Sequence, residues 1–105
     1  MKTTKTNKLR LSARGQSCSF QIPNCCTHLV DTTVLCHLPD DGGGKMGGKS
    51  PDWIAAFGCH KCHDVIDRRN NTRAVTEEDR EFYMRRGMIR TWRIWIETGL
   101  LKIAN

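Results

Sequence analysis

Short apolar runs and helical stripes divide this chain into elements. Phe20 and Ile22 alternate with polar residues, and Pro23-Asn24 signals a turn, so CSFQIPNCC reads as a short extended segment that doubles back. TTVLCHLP, from Thr32 to Pro39, is dominated by β-branched and apolar residues and predicts a strand. DWIAAFG, from Asp52 to Gly58, predicts its hairpin partner. A helix follows from about His60 to Arg69, with Val65 and Ile66 toward the core and Asn70-Asn71 ending it. Thr76 caps a further helical stretch, with Glu77, Glu78 and Asp79 in its first turn to complement the helix dipole. Phe82, Met88 or Ile89, Trp92, and Trp95 or Ile96 recur there near helical spacing, up to Thr98-Gly99. Gly87 predicts a break that makes two helices of it. Leu100, Leu101 and Ile103 form an apolar tail expected to pack back.

The polar remainder sets the boundaries. Residues 1–8 read as a flexible basic arm, and residues 9–105 as a single domain. Asp40 to Pro51 holds five glycines in twelve residues, so it predicts a loop with Lys45 and Lys49 on it. That loop lacks the spacing and strand–helix context of a phosphate-binding loop.

Composition sharpens the picture. A chain of 105 residues that is 38% hydrophobic and 7% aromatic has a lean core and needs a staple. Six cysteines supply one. The N-terminus is basic but has no apolar run, so it is not a secretory signal, and no segment is long enough to span a membrane. The expected setting is cytoplasmic, where thiols stay reduced and favour metal over disulfides. A net charge of +6 suits a polyanionic partner such as nucleic acid. Arg10, Arg14, Lys45, Lys49, Arg68 and Arg69 are the candidate phosphate contacts. Arg80, Arg85, Arg86, Arg90 and Arg93 give the C-terminal half positive faces of its own.

The chemistry concentrates in FGCHKCHDVIDRR, from Phe57 to Arg69. Cys59 and Cys62 stand in a C-x2-C knuckle, half of a structural zinc site. Cys18, with Cys25 or Cys26 seven or eight residues on, supplies the other half. Cys36 falls on the strand face opposite His37 and reads as a small buried hydrophobe. His63 and Asp67 lie one helical turn apart, a spacing that can hold a second divalent ion. His37 ends its strand just before a loop, where functional groups tend to be exposed. His60 reads as facing solvent.

In order, these are two cysteines, a strand ending in His37, a loop, a second strand, and a Cys-x2-Cys-His helix. With QIPNCC, VLCH, KSPD and CHKCHDVIDRR, the sequence resembles the HNH, or ββα-metal, endonuclease superfamily. More closely it is similar to the YbcO-like nucleases of bacterial prophages, over about Leu9 to Ile103. The resemblance implies an α+β fold: a zinc-stapled, treble-clef-like ββα core at about 18–70, with C-terminal helices at about 76–98. It implies that His37 is the general base, that His63 is a ligand of a catalytic ion, and that Asp67 is a further ligand. It selects Cys26 over Cys25, giving a structural zinc site of Cys18, Cys26, Cys59 and Cys62. Two positions depart from the superfamily. Cys36 stands where an acidic ligand is frequent. The central asparagine that orients the base is missing, and Asp52 is the nearest replacement. The function so implied is a metal-dependent DNA endonuclease, with structural Zn2+ and catalytic Mg2+ or another divalent ion, serving phage DNA processing or recombination. The alternatives are a non-catalytic zinc-stabilised DNA-binding module and a zinc protein that binds another protein. Neither alternative needs both His37 and His63.

Overall fold

The computed structural model describes residues 4–39, 50–67 and 75–104. Helix α1 spans Thr4–Leu11, taking in part of the stretch whose composition suggested an arm. An irregular segment then leads through a 3-10 turn at Val30–Thr32 into strand β1, Val34–His37. Strand β2, Ala55–Gly58, runs antiparallel to it, with Val34 opposite Gly58 and His37 opposite Ala55. The pairing extends by one bond, from the Leu38 N–H to the Ile54 carbonyl at 3.0 Å. Helix α2, His60–Ile66, follows, and helix α3, Glu77–Thr98, completes the order. The architecture is a small α+β arrangement of one two-stranded sheet with two helices C-terminal to it. Among the described residues, no helix is long and apolar enough to cross a membrane.

All four residues of β2 are buried, which makes this strand the centre of the fold. Alternation sends Ala56 to one face, with Phe20, Cys36, Cys59, Cys62 and Ile66. It sends Phe57 to the other, with Ala13, Trp95 and the partly buried Leu9 and Leu35. Phe57 and Trp95 meet edge to face at 5.9 Å. Each large side chain buried this fully contributes about 1.5–3 kcal/mol. The edge of β2 that faces away from β1 is also satisfied. The Phe57 carbonyl accepts from the Ser19 N–H at 2.8 Å, and the Phe57 N–H donates to Thr91 Oγ1 at 2.9 Å. An α3 hydroxyl thus takes a place that a third strand would otherwise fill.

Helix α3 departs from the expected pair of helices: it is continuous for 22 residues, through Gly87. The reason is steric. A Cβ at Gly87 would stand 2.6 Å from Cδ1 of Phe20 and 3.3 Å from Cβ of Ala56. Gly87 lets α3 approach the sheet closely; it does not interrupt the helix. The buried ridge is correspondingly Met84, Gly87, Thr91 and Trp95. Of the apolar stripe expected on this stretch, Trp95 is fully buried, and Met88 and Trp92 pack against the core. Met88 and Trp95 thus hold the two positions left open, whereas Phe82 is exposed, as are Ile89 and Ile96. The helix ends hold as expected. Thr76 Oγ1 accepts from the Asp79 N–H at 3.0 Å. Gly99 closes the helix at φ +84°, and the Leu100 N–H reaches the Trp95 carbonyl at 2.8 Å. Of the apolar tail, Leu101 packs on the Trp95 cluster, whereas Ile103 is exposed.

Helix α2 ends at Ile66, with Asp67 as its C-cap. Arg68 and Arg69, read into the same helix, lie outside the described residues, as do Lys45, Lys49 and the Asn70-Asn71 stop.

Candidate functional site

The irregular segment before β1 and the start of α2 bring four sulfurs together. The Sγ atoms of Cys18, Cys26, Cys59 and Cys62 all lie within 4.8 Å of one another. Those of Cys26 and Cys59 are 3.9 Å apart. Four thiolates about 2.3 Å from one tetrahedral ion stand about 3.8 Å from each other, so the donor set fits a single ion with no open position. Backbone N–H groups turn toward the sulfurs. Gln21 donates to Cys18 and Thr27 to Cys59, each at 3.5 Å, and Cys62 donates to Cys59 at 3.4 Å. The last of these makes Cys59 the N-cap of α2, so the sulfur cluster and the helix start are one structure.

Proton affinities within the cluster diverge. The Cys18 thiol is drawn down to about 5, first by the hydrogen bond from Cys62, against the opposing effect of burial. Cys62 is raised, because it donates that bond and is buried. The two sulfurs share this hydrogen bond, and a cation held by all four cysteines would displace its proton together with those of the other thiols. Burial raises Cys26 to about 11. Cys25 stands outside the four, with its half-buried thiol donating to the Lys61 carbonyl at 3.4 Å. Cys36 is fully buried, as its strand position implied.

Two histidine–carboxylate pairs accompany the cluster. At the end of β1, His37 Nε2 lies 2.6 Å from Asp52 Oδ1. The Asp52 carboxylate is nearly buried, at 8% exposure, while His37 keeps 28%. Its turn is fixed by the Ile54 N–H to the Pro51 carbonyl at 2.9 Å, and by Trp92 Nε1 donating to the Trp53 carbonyl at 2.8 Å. On α2, His63 Nε2 lies 3.0 Å from Asp67 Oδ2. Two ligands about 2.1 Å from one ion and at right angles stand about 3.0 Å apart, so this pair also fits adjacent positions on a divalent ion. His60 is exposed.

The arginines separate into two groups that sequence alone did not distinguish. Arg86 donates to the Phe20 carbonyl at 2.5 Å and Arg90 to the Ser19 carbonyl at 3.2 Å. They pin the segment that carries Cys18 onto α3. Arg80 donates to the Ile66 carbonyl at 2.7 Å, closing the end of α2. These three are structural. Arg85 and Arg93 are exposed, and so is Arg14. Arg10 is half exposed and reaches Asp52, with Nε 3.3 Å from Oδ2.

Fold and site together define a small α+β protein with a cluster of four cysteines that could hold a metal ion and two histidine–aspartate pairs. The chain belongs to the family described as "Putative nuclease YbcO", whose model matches residues 7–100. It is 40% identical over 94 residues to "Putative nuclease YbcO" of Escherichia coli (strain K12), covering 90% of this chain and 96% of the relative. The same figures relate it to "Putative nuclease ybcO" of Enterobacteria phage 82. Among solved structures it is similar to a "putative bacteriophage protein from Escherichia coli str. K-12 substr. MG1655", at TM-score 0.71 and 34% identity. That match covers 88% of this chain and 100% of the other.

Proposed function

We propose that this protein is a metal-dependent DNA endonuclease of the HNH type, with a ββα core formed by β1, β2 and α2. The observation that carries the reading is the 2.6 Å contact between His37 and the nearly buried Asp52. A carboxylate held this way orients an imidazole and fixes which nitrogen carries its proton. Asp52 then does for His37 what the missing asparagine would do. Family membership supports the same reading, since the relatives are named as nucleases.

In this reading Cys18, Cys26, Cys59 and Cys62 hold a structural zinc. A saturated four-thiolate site has no position for substrate, so it staples the fold. His63 and Asp67 hold the catalytic divalent ion, Mg2+ or another, which when bound stabilises negative charge on the scissile phosphate and the leaving oxygen. His37 takes the proton from the attacking water. Arg14 contacts the DNA backbone, together with Lys45, Lys49, Arg68 and Arg69. A role in phage DNA processing or recombination accords with the phage relative.

The test is a nicking assay on supercoiled and branched DNA with Mg2+, Mn2+ and Zn2+. Cleavage by the parent, abolished in His37→Ala with DNA binding retained, supports the proposal. DNA binding without cleavage under every metal condition replaces it with the non-catalytic binding module.

A further inference from the structure

We infer that Arg10 is a positioning residue for His37, acting through Asp52, and not principally a phosphate contact. The inference deepens the nuclease reading and rests on it for the role of His37. Asp52 accepts from His37 on Oδ1, and its Oδ2 is buried without a well-formed hydrogen bond. An ionised carboxylate in that position is costly unless a cation faces it. Among the described residues, the cation that reaches it is Arg10, from a helix 42 residues earlier in the chain. Its Nε lies 3.3 Å from Oδ2 and its second terminal nitrogen 3.5 Å from Oδ1, so the guanidinium spans both oxygens.

The pairing decides a tautomer. Ionised Asp52 can only accept, so Nε2 of His37 must carry the proton and Nδ1 keeps the free lone pair. Arg10, reaching both oxygens, fixes the orientation of the carboxylate and thereby the ring nitrogen that meets it. The charged groups that the described residues bring to His37 are Asp52 directly and Arg10 through it.

Arg10 is also held in place. Leu9 packs on the Phe57–Trp95 cluster. Ser12 Oγ donates to the Leu9 carbonyl at 2.6 Å and accepts from Trp95 Nε1 at 2.7 Å. A side chain meant for a flexible polyanion needs no such fixation of its helix, whereas one that sets a hydrogen-bond geometry does.

The experiment uses zinc-loaded full-length protein and the variants Arg10→Gln, Arg10→Lys, Asp52→Asn and Arg10→Gln/Asp52→Asn. Nitrogen-15 shifts of the His37 ring report the tautomer with no need for cleavage. The expected result is Nε2–H in the parent and a mixture in Arg10→Gln, with kcat lower by about tenfold or more and KM changed by less than about twofold. Arg10→Lys should restore part of kcat, and the double variant should cleave no more slowly than Asp52→Asn alone, because the two act in series. An unchanged tautomer, or a salt slope of DNA binding lower by about one with kcat intact, overturns the inference and makes Arg10 a phosphate contact. If Arg10→Gln does not fold, the Arg10→Lys kcat and the parent's tautomer decide. A parent that cleaves no DNA defeats the nuclease reading, while the ring tautomer still tests the Arg10–Asp52–His37 arrangement.

Discussion

Gly87 and Phe20 are in contact across the core, with no room for a methyl group between them: a Cβ on Gly87 would fall 2.6 Å from the ring. Gly58 faces the same ring, and a Cβ there would fall 2.5 Å from Cε2. The ring therefore cannot yield toward β2 when α3 presses on it. Gly87→Ala is expected to lower stability by about 1–3 kcal/mol through overpacking. Were Gly87 only a poor helix former, alanine would raise stability by about 1 kcal/mol. Urea denaturation gives the sign, and the sign decides between the two roles.

The four-sulfur geometry predicts about one tightly bound zinc per chain in purified protein. Cys26→Ser is expected to lose the metal and, with it, the cooperative unfolding transition. Cys25→Ser, whose thiol only meets the Lys61 carbonyl, should keep both. Metal analysis by mass spectrometry on the two variants checks the assignment; equal zinc loss in both would contradict it.

His37→Ala is expected to keep the fold, the zinc and DNA binding while cleavage falls by about two or more orders of magnitude, the scale of a lost general base. Asp52→Ala should give a smaller loss if, as proposed, its carboxylate orients the His37 imidazole. His63→Ala and Asp67→Ala should abolish activity along with divalent-ion binding, or flatten its dependence on added metal. Single-turnover cleavage across Mg2+ concentrations separates these outcomes.

DNA affinity should fall steeply with salt. Arg14→Gln is expected to reduce the slope of log K against log salt by about one, with little effect on the rate at saturating DNA. Fluorescence anisotropy at several salt concentrations measures it, and a slope that stays the same removes Arg14 from the interface.

Much of the hairpin and knuckle was legible because local patterns govern them. The β-branched run before His37 and the apolar run before Cys59 announce the two strands, and C-x2-C announces the start of α2. The orientation of α3 was not legible. Apolar residues occupy two of its faces, and the buried ridge includes Gly87 and Thr91, which a search for hydrophobic periodicity passes over. Thr91 is there for its hydroxyl, which bonds the edge of β2. Spacing left Cys25 and Cys26 open, and the fold brings Cys26 to the other three sulfurs. The structural tasks of Arg86 and Arg90 depend on contacts with Ser19 and Phe20, far away in the chain, and a count of positive charges does not reveal them.

Two tryptophans on α3 hold the two halves of one ion pair. Trp95 grips the end of α1, behind Arg10, and Trp92 grips the turn that carries Asp52. The ribosome makes α3 after every other element of this fold. A nascent chain that stops short of it already contains His37, His63, Asp52, Asp67 and all six cysteines, but lacks the helix that carries Trp92 and Trp95. The pairing of Arg10 with Asp52 beside His37 is thus braced only once the last helix of the fold has been made.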